Sequence, residues 1–286
     1  MFEKILVPLD GSQLSEKIFP WVFFLGETFK SEITLVRAFE PPSLVYLLPD
    51  LAVPTSHILS NDSLGLGIVE YLESVKENLP GINVECKMLV GEPASEILEL
   101  SDDFDLVVMG SHGRGGVGRW LFGSVATKVA RGIRVPLMVV NSHVPTPKQV
   151  RFKKILCPVD GSDVSRRSFE FAVELAVAFG AKLYVYRGVS QVDLKDSLTL
   201  KTNQEGLKQA ERWVQELIQS ASDELEIESQ VVETYGQVGI EDYSESINAD
   251  LICMGSHGKG GFKRWMLGSE TEKVLQIAKS PVLVTH

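Results

Sequence analysis

The amino-acid sequence predicts an α/β protein made of two similar domains, each with a five-stranded parallel sheet of strand order 3-2-1-4-5 and helices on both faces. Three observations lead to this prediction. Segment 4–12 returns at 154–162, segment 109–124 returns at 254–269 with 11 of 16 positions identical, and short apolar runs alternate with amphipathic stretches in both halves. A repeat of this length indicates two copies of one unit, and the alternation is typical of βαβ units.

The first copy contains nine predicted elements that alternate between strand and helix. Its strands are predicted at 4–9, 32–38, 82–89, 104–109 and 135–140, where short runs of β-branched or apolar residues occur. Its helices are predicted at 13–29, 62–78, 92–100 and 124–132, where the stretches are amphipathic. This is the pattern of flavodoxin-like and adenine-nucleotide α-hydrolase-like domains.

The second copy follows the same order. Its strands are predicted near 153–159, 181–187, 226–232, 250–254 and 281–285, and its helices near 163–179, 201–222, 237–247 and 269–278. The polar, proline-bearing segment 141–149 lies between the two copies and is predicted to be the linker. We therefore place the first domain at 1–142 and the second at 151–286.

The composition is that of a soluble globular protein, and it limits the classes of ligand. With 286 residues, of which 44% are hydrophobic and 23% charged, the chain can form two domains of about 140 residues with a core each. The formal net charge of -10 argues against a broad binding surface for nucleic acid or an anionic membrane. We therefore expect a small ligand.

The cysteines and the first residues of the chain indicate the cellular compartment of the protein. Cys86, Cys157 and Cys253 lie in apolar, strand-like runs without CxxC spacing, which favours buried reduced thiols over disulfides or a metal site. The first residues read as a strand rather than a signal peptide, and no run approaches the ~20 apolar residues that span a bilayer. We expect a cytoplasmic protein without a membrane partner.

Glycines recur with the same spacing in both copies of the long repeated segment. Gly110, Gly113 and Gly123, followed by Ser124, return as Gly255, Gly258 and Gly268, followed by Ser269, in the pattern G-x2-G-x9-G-S. Glycine lets the backbone approach an anion closely, and a helix start offers N–H groups to a phosphate. We predict that the two serines cap these helices and that Arg114 and Lys259 add a cation. The alternative is a glycine-rich crossover that only closes the sheet.

Asp10 and Asp160 follow the first strand of each copy. In an open parallel sheet, ligands bind at the carboxyl ends of the strands where the strand order reverses. Because the predicted order makes strands one and four neighbours, the aspartate and the glycine-rich segment should share one crevice. The alternative role of Asp10 is that of a turn residue, which supports the next helix through Asp-Gly-Ser.

These motifs resemble those of the universal stress protein family. The resemblance rests on Val-Pro-Leu-Asp-Gly-Ser at 7–12, Gly-Ser-His-Gly-Arg-Gly-Gly at 110–116 and the doubled G-x2-G-x9-G-S pattern. It covers nearly the whole chain and is to the tandem-domain form and the ATP-binding branch of the family. It implies an adenine nucleotide as ligand, ATP or AMP, with Mg²⁺ left open.

The resemblance also implies roles for individual residues. Asp10 and Asp160 would contact the adenine, and Ala38 and Gly188 would lie against the base. Met109, Gly110, Met254 and Gly255 would touch the ribose. Gly113, Arg114, Gly123, Ser124, Val125, Gly258, Lys259, Gly268 and Ser269 would surround the phosphates.

The second copy departs from the first at two of these positions. Glu270 replaces Val125 directly after the serine, and its carboxylate would occupy the field that a phosphate uses. Gly188 replaces Ala38 and removes an apolar contact with the base. We therefore expect the first domain to bind nucleotide more tightly.

Other motifs do not indicate a different function. The G-x-G-x-x-G match at 113–118 follows the fourth strand and is broken by Lys263 in the second copy, and no GxxxxGK[ST] occurs. His112 and His257 have no paired nucleophile, so we expect them to form hydrogen bonds within the loop. Trp120 and Trp265 are expected to hold the loop to its domain or to the other copy. We expect no catalytic residue and no metal ligand.

Two regions are candidates for contacts between copies or with partners. The apolar terminal strands 135–140 and 281–285 would leave exposed edges, which two similar domains can pair about a pseudo-two-fold axis. We expect such an intramolecular pseudo-dimer, and a homodimer stays open. Segment 40–60 is long for a connection and is either a lid or partner-binding arm, or a loop packed over its own sheet.

The sequence thus favours a tandem universal stress protein that binds adenine nucleotide and serves as a sensor or regulatory module in the stress response. Two alternatives stay open. Slow ATP hydrolysis would need a base, for which Asp10 and His112 are weak candidates. An interaction scaffold without nucleotide would use segment 40–60 to bind its partner.

Overall fold

The computed structural model describes residues 1–40, 63–111, 122–190, 197–221, 225–234, 239–258 and 267–286. It divides into two compact units. The first contains Met1–Ser142 with Thr146–Val150, and the second contains His143–Pro145 with Arg151–His286. The predicted lid or arm at 40–60 falls almost entirely outside the described residues.

The first unit is a parallel sheet with the predicted strand order. Its strands are β1 (Lys4–Pro8), β2 (Glu32–Phe39), β3 (Val84–Val90), β4 (Leu106–Gly110) and β5 (Leu137–Val140). Its helices are α1 (Gln13–Glu16), α2 (Phe19–Phe29), α3 (Ser63–Lys76), α4 (Pro93–Ser101) and α5 (Ser124–Gly132). The strands pair in the order β3-β2-β1-β4-β5, all parallel, which confirms the prediction 3-2-1-4-5.

The second unit repeats this topology. Its strands are β6 (Lys154–Pro158), β7 (Lys182–Ser190), β8 (Ile227–Thr234), β9 (Leu251–Gly255) and β10 (Val282–Thr285). Its helices are α6 (Asp163–Phe179), α7 (Ser197–Gln219), α8 (Ile240–Ile247) and α9 (Ser269–Ile277). The strands pair in parallel in the order β8-β7-β6-β9-β10. Both units therefore have the predicted α/β fold.

The central strands are buried on both faces. Ile5, Leu6 and Val7 are fully buried in succession on β1, and 155–157 are fully buried in succession on β6. Neighbouring residues of a strand point to opposite faces, so helices must cover both sides of each sheet. Cys157 and Cys253 are buried free thiols, as predicted, whereas Cys86 is only half-buried.

One predicted helix, 13–29, is two helices in the structure. α1 ends at Glu16, and α2 begins at Phe19 with Pro20 in its first turn. Proline has no N–H to donate, and its ring clashes with the carbonyl four residues earlier, so a helix cannot run through Pro20 unbroken. The second unit has Glu170 at the matching position, and there α6 runs unbroken.

Other boundaries shift because helix ends and strand ends carry weak sequence signals. α7 spans Ser197–Gln219 rather than 201–222, and α8 begins at Ile240 rather than at 237. β7 ends at Ser190 rather than at 187, and the remaining differences are at most two residues. Among the described residues, no helix is both long enough and apolar enough to cross a membrane.

In each unit, the carboxylate of one aspartate forms hydrogen bonds that connect the amino ends of the two central strands. Asp105 Oδ2 accepts hydrogen bonds from the backbone N–H groups of Glu3 at 2.7 Å and Lys4 at 2.9 Å. Asp250 Oδ2 accepts the matching pair from Lys153 at 2.8 Å and Lys154 at 2.9 Å. These repeated aspartates lie at the end of the sheet opposite Asp10 and Asp160, so their role is structural.

Replacing Asp105 by alanine is expected to lower the free energy of unfolding of the first unit by about 1–2 kcal/mol, because two backbone donors lose a charged acceptor. Urea denaturation with hydrogen exchange resolved by domain measures the effect. Asp103→Ala is the matched control on an exposed neighbour that makes no side-chain hydrogen bond to these donors. Equal losses in both variants would contradict this role of Asp105.

Candidate functional site

The second unit brings the strand-end aspartate and the glycine-rich segment together. Asp160 follows β6, Gly258 lies three residues after the end of β9, and these two strands are neighbours in the sheet. A Cβ atom at Gly258 would overlap Asp160 Oδ2, so a larger residue at this position would require the carboxylate or the loop to shift. The predicted meeting of these residues at the carboxyl end of the sheet is therefore present here. In the first unit, Gly113 lies outside the described residues.

One carboxylate oxygen of each strand-end aspartate holds the following turn. Asp10 Oδ1 accepts from Ser12 N at 3.0 Å and Ser12 Oγ at 2.7 Å. Asp160 Oδ1 accepts from Ser162 N at 3.0 Å and Ser162 Oγ at 2.6 Å. The alternative role of these aspartates as turn residues is therefore observed. It fixes the orientation of the carboxylate, and in the second unit this orientation directs Oδ2 toward Gly258.

Glycines, not serines, are the N-caps of the two helices that follow the glycine-rich segments. α5 and α9 have Gly123 and Gly268 at the N-cap, and Ser124 and Ser269 are the first helical residues, so the predicted serine caps are wrong. Neither helix has a side-chain cap hydrogen bond. By contrast, Ser162 caps α6 by accepting from Ser165 N. A glycine cap offers no side-chain oxygen, so it leaves the amides of the first helical turn to other acceptors.

The chain packs tightly around the start of α9. Gly268 N–H donates to Ser256 O at 2.7 Å, and a Cβ atom at Gly268 would lie 3.1 Å from His257 Cα. In the first unit, Gly123 N–H makes the matching bond to Ser111 O at 2.8 Å. The amide of each glycine is thus used internally. At each described helix start, the N–H groups that follow the glycine are the ones available to an anion.

The residues that the resemblance places near base and ribose lie at strand ends. Ala38 is half-buried on β2, and Gly188 is exposed on β7. Met109 and Met254 are each 5% exposed, so their side chains belong to the core and leave only main-chain atoms near the carboxyl end. Gly110 and Gly255 end β4 and β9.

The position after each N1 serine differs in exposure between the units. Val125 is half-buried, whereas Glu270 is exposed in the first turn of α9. The carboxylate of Glu270 therefore lies near the positive end of the helix dipole. Tighter nucleotide binding by the first domain stays a prediction.

Several predicted site residues lie outside the described residues. They are His112, Gly113, Arg114, Trp120, Lys259 and Trp265. His257 is described, and its Nδ1 lies 3.1 Å from Ser256 Oγ, which confirms the expected contact within the loop.

Sequence reasoning missed two arginines and a histidine near these strand ends. Arg37 and Arg187 directly precede the positions assigned to the base, and each guanidinium carbon lies 5.0 Å from an aromatic ring centre, that of Tyr71 and that of Trp213. A repeated arginine at this position was an available signal.

The histidine is His286, which follows β10. Burial and the nearby His257 lower the pKa of His286 to about 4. No sequence pattern indicated this, because both the burial, which is the larger cause, and the proximity of His257 arise from the tertiary structure.

Each unit is thus a doubly wound α/β domain with a strand-end aspartate and a glycine-capped helix at the point where the strand order reverses. The model of the Universal stress protein family matches residues 1–141 and 151–286. The chain belongs to the universal stress protein family and carries two of its domains in tandem.

Known proteins resemble the chain over its whole length and over one half. Universal stress protein Rv2005c of Mycobacterium tuberculosis is 25% identical over 296 residues, covering 99% of this chain and 96% of that protein. Universal stress protein MJ0531 of Methanocaldococcus jannaschii is 33% identical over 157 residues, covering 51% of this chain and 88% of that protein. The crystal structure of a universal stress protein from Archaeoglobus fulgidus has a TM-score of 0.71 at 22% identity, covering 99% of this chain and 98% of that chain.

Proposed function

We propose that each domain binds one adenine nucleotide, ATP or AMP, and that the protein acts in the cytoplasm as a nucleotide-dependent sensor or regulator in the stress response. The observation that carries this proposal is the contact of Asp160 with Gly258, beside the glycine-capped start of α9. It puts a hydrogen-bond acceptor and a set of helix-start donors at one end of the sheet.

The start of α9 forms the phosphate-binding half of the proposed nucleotide site. The first N–H groups of α9 have no acceptor within the helix, and the helix dipole adds partial positive charge. Phosphates bind at such helix starts. Gly258 and Gly268 bring the main chain close because a side chain at either position would meet Asp160 or His257.

Asp160 forms the base-binding half of the proposed nucleotide site. Asp160 Oδ1 is held by Ser162, so the carboxylate is preoriented before a ligand arrives. A carboxylate oxygen can accept from the amino group of adenine. Asp10 is held in the same way by Ser12, which supports an equivalent site in the first domain.

The direct test is to denature freshly purified protein and identify the released small molecules by mass spectrometry, followed by calorimetric titration of the emptied, refolded protein with ATP and AMP. We expect an adenine nucleotide to be released and to rebind. A protein that releases no nucleotide and shows no heat of binding at millimolar ATP would refute the proposal.

A single methyl group at Gly258 should weaken binding in the second domain. In Gly258→Ala, the new Cβ would overlap Asp160 Oδ2, so the loop or the carboxylate must move, and we expect at least about tenfold lower affinity. The matched control is Gly206→Ala on α7, where nothing lies within 4 Å of the added Cβ. Calorimetry on both variants would contradict the site if they bound equally well.

A further inference from the structure

The two units differ in charge around one aromatic residue near the base side of the site. In the first unit, Arg37 lies over the Tyr71 ring, and Tyr71 Oη donates to Glu16 Oε1 at 3.0 Å. The arginine therefore shares its aromatic partner with a carboxylate. This arrangement combines one cation, one ring and one acid.

In the second unit, the acid is replaced by a second cation. Arg166 occupies the position of Glu16, at the same distance of 150 residues that separates Asp10 from Asp160. The guanidinium carbons of Arg166 and Arg187 lie 5.5 Å and 5.0 Å from the Trp213 ring centre. We call these three residues the Arg166–Trp213–Arg187 cluster.

The described residues provide no contact ion pair that would neutralise the positive charge of this cluster. Within the residues that the structure describes, neither arginine forms an ion pair with a carboxylate, and Arg187 Nη1 is buried without a hydrogen-bond partner. Burial of an unpaired guanidinium donor is unfavourable, and two like charges beside one ring repel each other. The chain as a whole carries a net charge of -10, so a concentration of positive charge here is not a property of the general surface.

The surroundings of Arg187 agree with this picture. Burial lowers the pKa of Arg187, and the nearby Asp160 raises it. Asp160 has one carboxylate oxygen committed to Ser162, and its other oxygen faces Gly258.

We propose that the Arg166–Trp213–Arg187 cluster binds a phosphate group, at a second anion site that the first domain lacks. Planar guanidinium groups donate to phosphate oxygens in pairs, and two of them match the charge of a phosphate dianion. The indole ring holds both arginines by cation–π contact, which reduces the entropy lost on binding. The phosphate belongs either to a nucleotide with an extra phosphate on its ribose or to free inorganic phosphate.

The test uses the full-length protein and inorganic phosphate as the first probe. The Nε–Hε signals of arginine side chains in NMR spectra, assigned with Arg166→Lys and Arg187→Lys variants, are followed during titration at constant ionic strength. We expect saturable shifts of the Arg166 and Arg187 signals with phosphate and none with chloride. Equal shifts with both salts would overturn the proposal.

Variants separate this site from general charge effects. Arg166→Glu introduces the glutamate that the first domain has at this position. We expect the new carboxylate to form an ion pair with Arg187 and to reduce phosphate affinity at least tenfold. Arg166→Met, which removes the charge without adding an acid, should also weaken binding. The matched control is Arg212→Glu, an exposed arginine next to Trp213 on α7 that makes no cation–π contact with it. Equal effects of Arg166→Glu and Arg212→Glu would overturn the proposal.

A second set of binding measurements distinguishes the two possible sources of the phosphate. If adenosine 3′,5′-bisphosphate binds the second domain at least tenfold more tightly than AMP, and Arg166→Glu removes this difference, the phosphate belongs to the nucleotide. If AMP and inorganic phosphate bind together, the phosphate is free. The titration with phosphate alone requires no nucleotide, so its result does not depend on whether the second domain binds a nucleotide, and failure of the nucleotide proposal would be recognised separately.

Discussion

Gly268→Val is expected to abolish nucleotide binding by the second domain and to leave the first domain able to bind. A Cβ atom there would lie 3.1 Å from His257 Cα and 3.4 Å from Ser256 O, both main-chain atoms that cannot turn away as a flexible side chain would. The two methyl groups of valine would also cover the first amides of α9. We expect at least about a hundredfold loss of affinity, close to 3 kcal/mol.

Gly123→Val should have the reciprocal effect, because Gly123 is the N-cap of α5 and makes the same backbone hydrogen bond as Gly268. Calorimetric stoichiometry measures both variants, and we expect it to fall from two nucleotides per chain to one in each. Gly206→Val is the control, since no atom lies within 4 Å of its added Cβ. If both valine variants kept two sites, the glycine-capped helix starts would not be the phosphate sites.

The second domain is expected to lose stability in mild acid because of His286. Its pKa in the folded protein is about 4, whereas an unfolded histidine has its ordinary value of 6.5. Between these values the unfolded chain binds a proton that the folded domain does not, so acid favours unfolding. The stability is complete above pH 6.5 and falls as the pH drops toward 4. We expect a loss of about 2 kcal/mol between pH 7 and pH 5.

The first domain supplies the matched substitution for this experiment. Asn141 follows β5 as His286 follows β10, so His286→Asn places the residue of one repeat in the other. We expect this variant to lose most of the pH dependence between 7 and 5. Hydrogen exchange resolved by domain measures it, and the first domain is the internal reference. An unchanged pH dependence in His286→Asn would mean that other groups cause the acid sensitivity.

The positions that could be predicted are those that recur at a fixed distance in the sequence. The repeated glycines and aspartates identified the carboxyl end of the sheet, and the contact of Asp160 with Gly258 follows from the strand order. The break before α2 could also have been predicted, because Pro20 cannot continue a helix. The serine caps were predicted wrongly because serine is preferred at N-caps in general, whereas here the tight passage of His257 requires glycine.

The sequence by itself determined the tandem α/β fold, the strand order within each domain and where the helices after the glycine-rich segments begin, because periodicity and repetition can be read from the chain without its tertiary contacts. Only the tertiary structure showed that Arg166 and Arg187 share Trp213 and that burial and the nearby His257 lower the pKa of His286. These features arise between residues distant in the sequence. Their energies depend on distance and exclusion of water, which packing alone decides.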